Sequence, residues 1–205
     1  MPTSCNFLTE GCHGGWTYLG GMFLQTYYTV TEECAPYIAE INEENGSCHE
    51  YGHCPPIAKF RDFYFVGGSY GDMTEESIMR ELRANGPMNI DFLAGNDFQS
   101  YSSGVLVEQT DSTNMQASEA IISATMDWDG ISDNDMESKN IEWSKVTHAT
   151  GLIGWGYDSS QDMKYWLVRN SYGENWGLGG NFKIRRGQND YACETNNVAG
   201  NPILL

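Results

Sequence analysis

The sequence predicts an α+β fold in two lobes. Residues 1–68 read as a partial, loop- and disulfide-rich lobe carrying some helix, and 69–205 as a β lobe. Three observations lead there. Five of the six cysteines (Cys5, Cys12, Cys34, Cys48, Cys54) crowd the first lobe, and Cys193 alone lies beyond it. Strand-like segments dominate the last third. An acidic, Ser- and Asn-rich stretch, 108–146, interrupts the second lobe without apolar periodicity. A connection of that length is uncommon in a compact domain and is often functional or processed.

The elements follow in order. After the Gly14-Gly15 turn a helical stretch is predicted from Tyr18 to about Tyr27. The region from Cys34 to Pro56 reads as an irregular, crosslinked loop. Phe60 to Val66 reads as a strand ended by Gly67-Gly68. The best-marked helix comes next. Asp72 and Thr74 are candidate caps, Glu75 and Glu76 suit its positive end, Ile78, Met79 and Leu82 form one face, and Gly86-Pro87 ends it. Met88 to Leu93 alternates as a strand, and Gly104 to Val107 begins another. Ala149 to Trp155, Tyr165 to Arg169 and Asn181 to Arg186 are strand-like, separated by Gly-, Ser- and Asp-rich turns.

Composition narrows the function. The 205 residues are 40% hydrophobic and 19% charged, an ordinary globular balance. Formal net charge is −17, which argues against nucleic acid and anionic membranes as partners. No apolar run approaches the ~20 residues of a membrane span, and the N-terminus shows no signal peptide. Clustered cysteines in a loop-rich region favour disulfides and an oxidising compartment. The Asn45-Gly46-Ser47 triplet, a glycosylation acceptor, agrees with a secretory route. Cys48, His49, His53 and Cys54 lie close together, as zinc ligands do, but their spacing fits no common structural zinc pattern.

His148 opens the apolar strand HATGLIGWGY, and Asn170 follows the strand YWLVR. Neighbouring antiparallel strands would set these side chains together. An Asn oxygen accepting from one ring nitrogen fixes the tautomer and leaves the other as a base. Tyr172 and Trp176 are placed to shield that bond from water. Taken alone, a satisfied structural histidine is the commoner outcome.

The surrounding segments resemble the papain-like cysteine peptidases. They are GCHGGW at 11–16, EECAPY at 32–37, VGGSYGD at 66–72, NGPMNIDF at 85–92, DFQSYSSGV at 97–105, THATGLIGWGYD at 147–158 and YWLVRNSYGENWGLGGNFKIRRG at 165–187. The FVGGSY block and the closing NPILL tilt the match to the dipeptidyl-peptidase-I-like branch. The resemblance implies a papain-like two-lobe fold whose second lobe is an antiparallel, barrel-like β structure. It makes His148 the catalytic base and Asn170 its orienting partner. Gly14 and Gly15 become a substrate-facing backbone edge, and Thr147 and Ala149, flanking the histidine, substrate-side positions. It pairs Cys5 with Cys48 and Cys34 with Cys54, so no metal is expected there. Cys12 normally pairs outside the segment seen here, and Cys193 becomes a buried thiol. No cofactor is required. Relatives bind chloride through tyrosines; Tyr18 matches one such position, but Phe65 stands at the other and has no hydroxyl, so chloride stays an open alternative.

The nucleophile is a different matter. Papain-like peptidases place it in a Gly-Ser-Cys-type segment that opens a long helix, with a glutamine just upstream. That arrangement is not found here, and the sequence begins where the family is already past that helix. The expected partners are therefore a peptide or protein substrate and a complementary chain or segment carrying the nucleophilic cysteine, in a lysosomal, vacuolar or secreted setting. Relatives are cut near 108–146 into chains that stay associated. The chain is read as part of an active peptidase, either processed or incompletely read. The alternative is a catalytically inactive pseudopeptidase serving as a structural or binding protein.

Overall fold

The computed structural model describes residues 2–37, 47–48, 52–108 and 146–205. Asn45, Gly46, His49 and most of the acidic stretch lie outside them. The chain divides into two compact units, Met1–Tyr64 with Val198–Leu205, and Phe65–Asn197.

In the first unit, α1 (Pro2–Cys5) and a 3-10 turn (Gly11–His13) precede α2 (Thr17–Thr26). Strand β1 (Ala58–Phe65) forms a two-stranded sheet with β7 (Val198–Leu204). The sequence division had put 198–205 with the second lobe. Pairing of β7 with β1, extended by the bond from Leu205 N–H to the Ile57 carbonyl (3.0 Å), carries those residues into the first unit. Two disulfides brace it, Cys5–Cys48 and Cys34–Cys54, closing loops of 43 and 20 residues. Each is expected to contribute about 3–4 kcal/mol, mainly by restricting the unfolded chain. Val30, Ala35 and Cys54 form a small buried cluster, with Cys5 and Cys34 against it.

The second unit opens with α3 (Glu75–Asn85). Of the two candidate caps Thr74 does the capping. Its Oγ1 accepts from Ser77 N–H at 3.1 Å, and Ser77 Oγ accepts from Thr74 N–H at 2.9 Å. Asp72 serves the preceding turn instead. At Gly67, where φ is +95°, a Cβ would come within 2.7 Å of the Asp72 carbonyl oxygen, so only glycine fits.

The sheet of this unit holds β2 (Met88–Phe92), β3 (Val105–Leu106), β4 (His148–Asp158), β5 (Met163–Arg169) and β6 (Asn181–Arg185). A short helix, α4 (Asn96–Gln99), links β2 to β3. Strand order is β2-β4-β5-β6-β3, antiparallel except for the β3–β6 pair. The expected antiparallel barrel is therefore a mixed sheet, not closed into a barrel among the described residues. After α4 the chain returns along β6 in the same direction, and that makes the last pair parallel. Period-two alternation buries Ile90 and Phe92, Trp166 and Val168, and Phe182 and Ile184, with Leu152 from β4 and Ile78 from α3. No helix among the described residues is long and apolar enough to cross a membrane.

Candidate active site

His148 is the first residue of β4, paired with Phe92 of β2. Asn170 directly follows β5, whose Arg169 lies opposite Gly151. Antiparallel pairing thus brings the two side chains together, and His148 Nε2 lies 2.9 Å from Asn170 Oδ1. The same oxygen accepts from the backbone N–H of Ser171 at 2.8 Å. A flipped amide would set its NH2 against that N–H, so the neighbour fixes which end of Asn170 faces the imidazole. With Oδ1 as acceptor, Nε2 must carry the proton. In the neutral ring Nδ1 is then the basic nitrogen. Asn170 is held in turn by its own N–H to the Gly180 carbonyl (2.9 Å) and is 6% exposed.

Aromatic rings wall the imidazole. Phe92 and Phe98 each stand 5.6 Å from it, and Tyr172 lies 5.2 Å away at 39°. Trp176 is one layer back. It packs on Phe98 (5.0 Å) and Tyr172 (5.5 Å), and its Nε1 donates to the Gln99 carbonyl at 3.1 Å. Phe92 and Phe98 were not among the predicted site residues. Their signal lay in the matching segments NGPMNIDF and DFQSYSSGV, in which neither phenylalanine is singled out by its residue type. Nor could sequence point to the Ser171 N–H, because a backbone group leaves no mark on residue type.

Thr147 donates its N–H to the Phe92 carbonyl (3.0 Å), and its Oγ1 accepts from Ala94 N–H (3.0 Å). Its hydroxyl thereby fixes the start of β4. Ala149 is exposed opposite Asp91. Phe65 packs edge-on to Tyr70 at 6.0 Å. In the first unit, Tyr18 packs on Phe63 (4.6 Å). Both backbone groups of Gly14 are engaged in the 3-10 turn, its carbonyl with Glu10 N–H and its N–H with the Gly11 carbonyl.

The sequence pattern of the papain family of cysteine proteases matches residues 2–124 and 119–203. The chain belongs to that family. It is 30% identical over 201 residues to cathepsin C of Schistosoma mansoni, covering 98% of this chain and 38% of that protein. It is 30% identical over 251 residues to dipeptidyl aminopeptidase 1 of Plasmodium falciparum (isolate 3D7), covering 95% and 34%. Among solved structures it is similar to the digestive procathepsin L2 proteinase from the larval midgut of Tenebrio molitor. That match has a TM-score of 0.68 and 25% identity, over 97% of this chain and 51% of that one. The chain spans little more than a third of the length of those two curated relatives.

In this papain-family chain the cysteines sort by environment. Four are in disulfides, including Cys48 of the literal Gly46-Ser47-Cys48 triplet. Cys193 is fully buried, and burial first, then the nearby carboxylates of Glu194 and Asp190, push its thiol well up. Cys12 is exposed on the 3-10 turn. Alkylation of the native protein is expected to label Cys12 and spare Cys193. Non-reducing peptide mapping is expected to return Cys5–Cys48 and Cys34–Cys54. Labelling of Cys193 without denaturant would contradict the packing described.

Proposed function

We propose that this chain is the histidine–asparagine portion of a papain-type cysteine peptidase of the dipeptidyl-peptidase-I kind. Its nucleophilic thiol would come from a segment outside this chain. The supporting observation is the double acceptance at Asn170 Oδ1, which leaves His148 Nδ1 as the base. In this reading the thiol hands its proton to Nδ1, and the thiolate attacks the peptide carbonyl. The imidazolium then protonates the leaving amine. Water, deprotonated by Nδ1, releases the acyl group. Tyr172, with Trp176 behind it, keeps water from competing for Nε2–H. The disulfides and acidic charge suit a lysosomal, vacuolar or secreted setting. The chemistry requires no cofactor.

A fluorogenic dipeptide substrate tests this. The isolated chain is expected to show no turnover. Restoring a segment with a Gly-Ser-Cys-opened helix is expected to give turnover that a thiol-alkylating inhibitor abolishes. Inhibitable turnover by the isolated chain would overturn the assignment of the thiol. A folded, restored protein with no turnover would support the scaffold role instead.

A further inference from the structure

We infer that Cys34, His53 and Cys54 form a redox-gated site for a thiophilic divalent cation such as Zn2+. The site is closed while the Cys34–Cys54 disulfide is intact and opened by its reduction. Sequence proximity grouped Cys48, His49, His53 and Cys54. The structure selects a different set, because Cys48 is bonded to Cys5 while Cys34 is brought back from 20 residues away.

The donor atoms of Cys34, His53 and Cys54 all lie within 4.8 Å of one another. His53 Nε2 faces Cys34 Sγ at 3.9 Å. A tetrahedral zinc with Zn–S of about 2.3 Å and Zn–N of about 2.0 Å holds sulfur and nitrogen about 3.5 Å apart. The imidazole therefore already stands near ligand distance, and only the two sulfurs need to part. Rotation about their Cα–Cβ bonds achieves that once the S–S bond is broken.

The surroundings keep these donors in place without the disulfide. Cys34 N–H donates to the Thr31 carbonyl (3.2 Å) and to Thr31 Oγ1 (3.3 Å), and Ala35 N–H also reaches the Thr31 carbonyl (3.0 Å). The turn bearing Cys34 is thus tied by its own backbone. Cys54 is 3% exposed, against Val30 and Ala35. Dry walls strengthen a metal–thiolate bond. His53 is exposed, so a cation can enter on that side. Two thiolates and one imidazole leave the fourth tetrahedral position to water.

The steps balance. A dithiol gives two electrons and two protons to the Cys34–Cys54 bond and itself closes to a disulfide. Zn2+ then displaces both thiol protons and binds neutral His53 through Nε2, without changing its own oxidation state. Two protons leave per metal bound, so affinity falls on acidification.

The test uses the purified protein, first alkylated in its oxidised form to block the exposed Cys12, while Cys193 stays buried. A phosphine then reduces it, taking up oxygen from water as the oxide. Titration with Co2+ at neutral pH is expected to give thiolate-to-cobalt charge-transfer absorption saturating at one equivalent and bleached by Zn2+. The oxidised protein is expected to give none. H53Q, which leaves both disulfides intact, is expected to weaken Co2+ binding about tenfold or more. C5S/C48S is expected to keep one equivalent, and C34S/C54S to lose it. A missing band after reduction overturns the inference. So does H53Q binding at wild-type affinity, or binding retained by C34S/C54S. If C34S/C54S fails to fold, the H53Q comparison decides alone.

Discussion

Replacing His148 by alanine, with the nucleophile-bearing segment present, is expected to lower kcat/KM for peptide hydrolysis by about 10³- to 10⁴-fold. The size follows from what the ring does. Neutral imidazole with Nε2–H spent on Asn170 presents Nδ1 as the base, and alanine supplies neither base nor the later acid. Asn170→Ala is expected to cost less, about 10- to 100-fold, in the range found when a group that only orients an imidazole is removed. Its signature is separate from lost structure. Ser171 N–H and His148 Nε2–H both lose their acceptor, so kcat falls while KM holds, as a second, unproductive tautomer becomes populated. Asn170→Asp keeps both acceptor bonds and adds a negative charge beside the ring. It is expected to retain more activity than Asn170→Ala. Equal activity of H148A and the parent, measured on folded protein by steady-state hydrolysis, would remove His148 from the chemistry.

Truncating Phe98 to alanine is expected to destabilise the second unit by about 3–5 kcal/mol. Phe98 is fully buried and touches five other rings of the site and core. Phe92 lies at 4.9 Å, Phe182 at 5.0 Å, Trp176 at 5.0 Å, His148 at 5.6 Å and Tyr172 at 5.9 Å. No neighbour can collapse into that space without dragging the imidazole or the indole with it. At roughly 2–4 °C per kcal/mol for a chain of this size, melting should move down by roughly 6–20 °C. Phe98→Leu retains most of the volume and is expected to cost under about 1.5 kcal/mol. Calorimetric melts of the two variants check the stability. Hydrolysis below the melting range checks the function. The alanine variant should lose kcat even while folded, because the ring that buttresses His148 is gone. An alanine variant that melts with the parent would show the ring cluster to be loosely packed.

How much of this was legible in the sequence depends on how local the signal is. Thr74, the two glutamates after it and Gly86-Pro87 mark α3 because capping and breaking act within one turn. Alternation marks β2, β5 and β6 because a strand half-buried in a sheet repeats every second residue. The segments around His148 and Asn170 placed those two on neighbouring strands, and the structure joins them by a hydrogen bond. Non-local pairings were not legible. VAGNPIL shows no alternation, so its return to β1 was missed. The two-residue β3 carries too little pattern to announce a parallel partner. The Cys34–His53–Cys54 cluster was misgrouped because proximity in sequence stood in for proximity in space. The Ser171 amide, which decides the tautomer, is invisible to any reading of side-chain types.

The strand order has a bearing on proteolysis. Outer strands β2 and β3 come from residues before the acidic stretch 108–146, and the three inner strands from residues after it. A cut within that stretch would leave two fragments interleaved like the fingers of clasped hands. Pulling them apart would mean tearing three ladders of backbone hydrogen bonds, β2 from β4, β3 from β6 and β1 from β7. Nicked protein is therefore expected to elute as one species under native conditions and to resolve into two only in denaturant. The connection can then be severed while the sheet that presents the histidine stays whole.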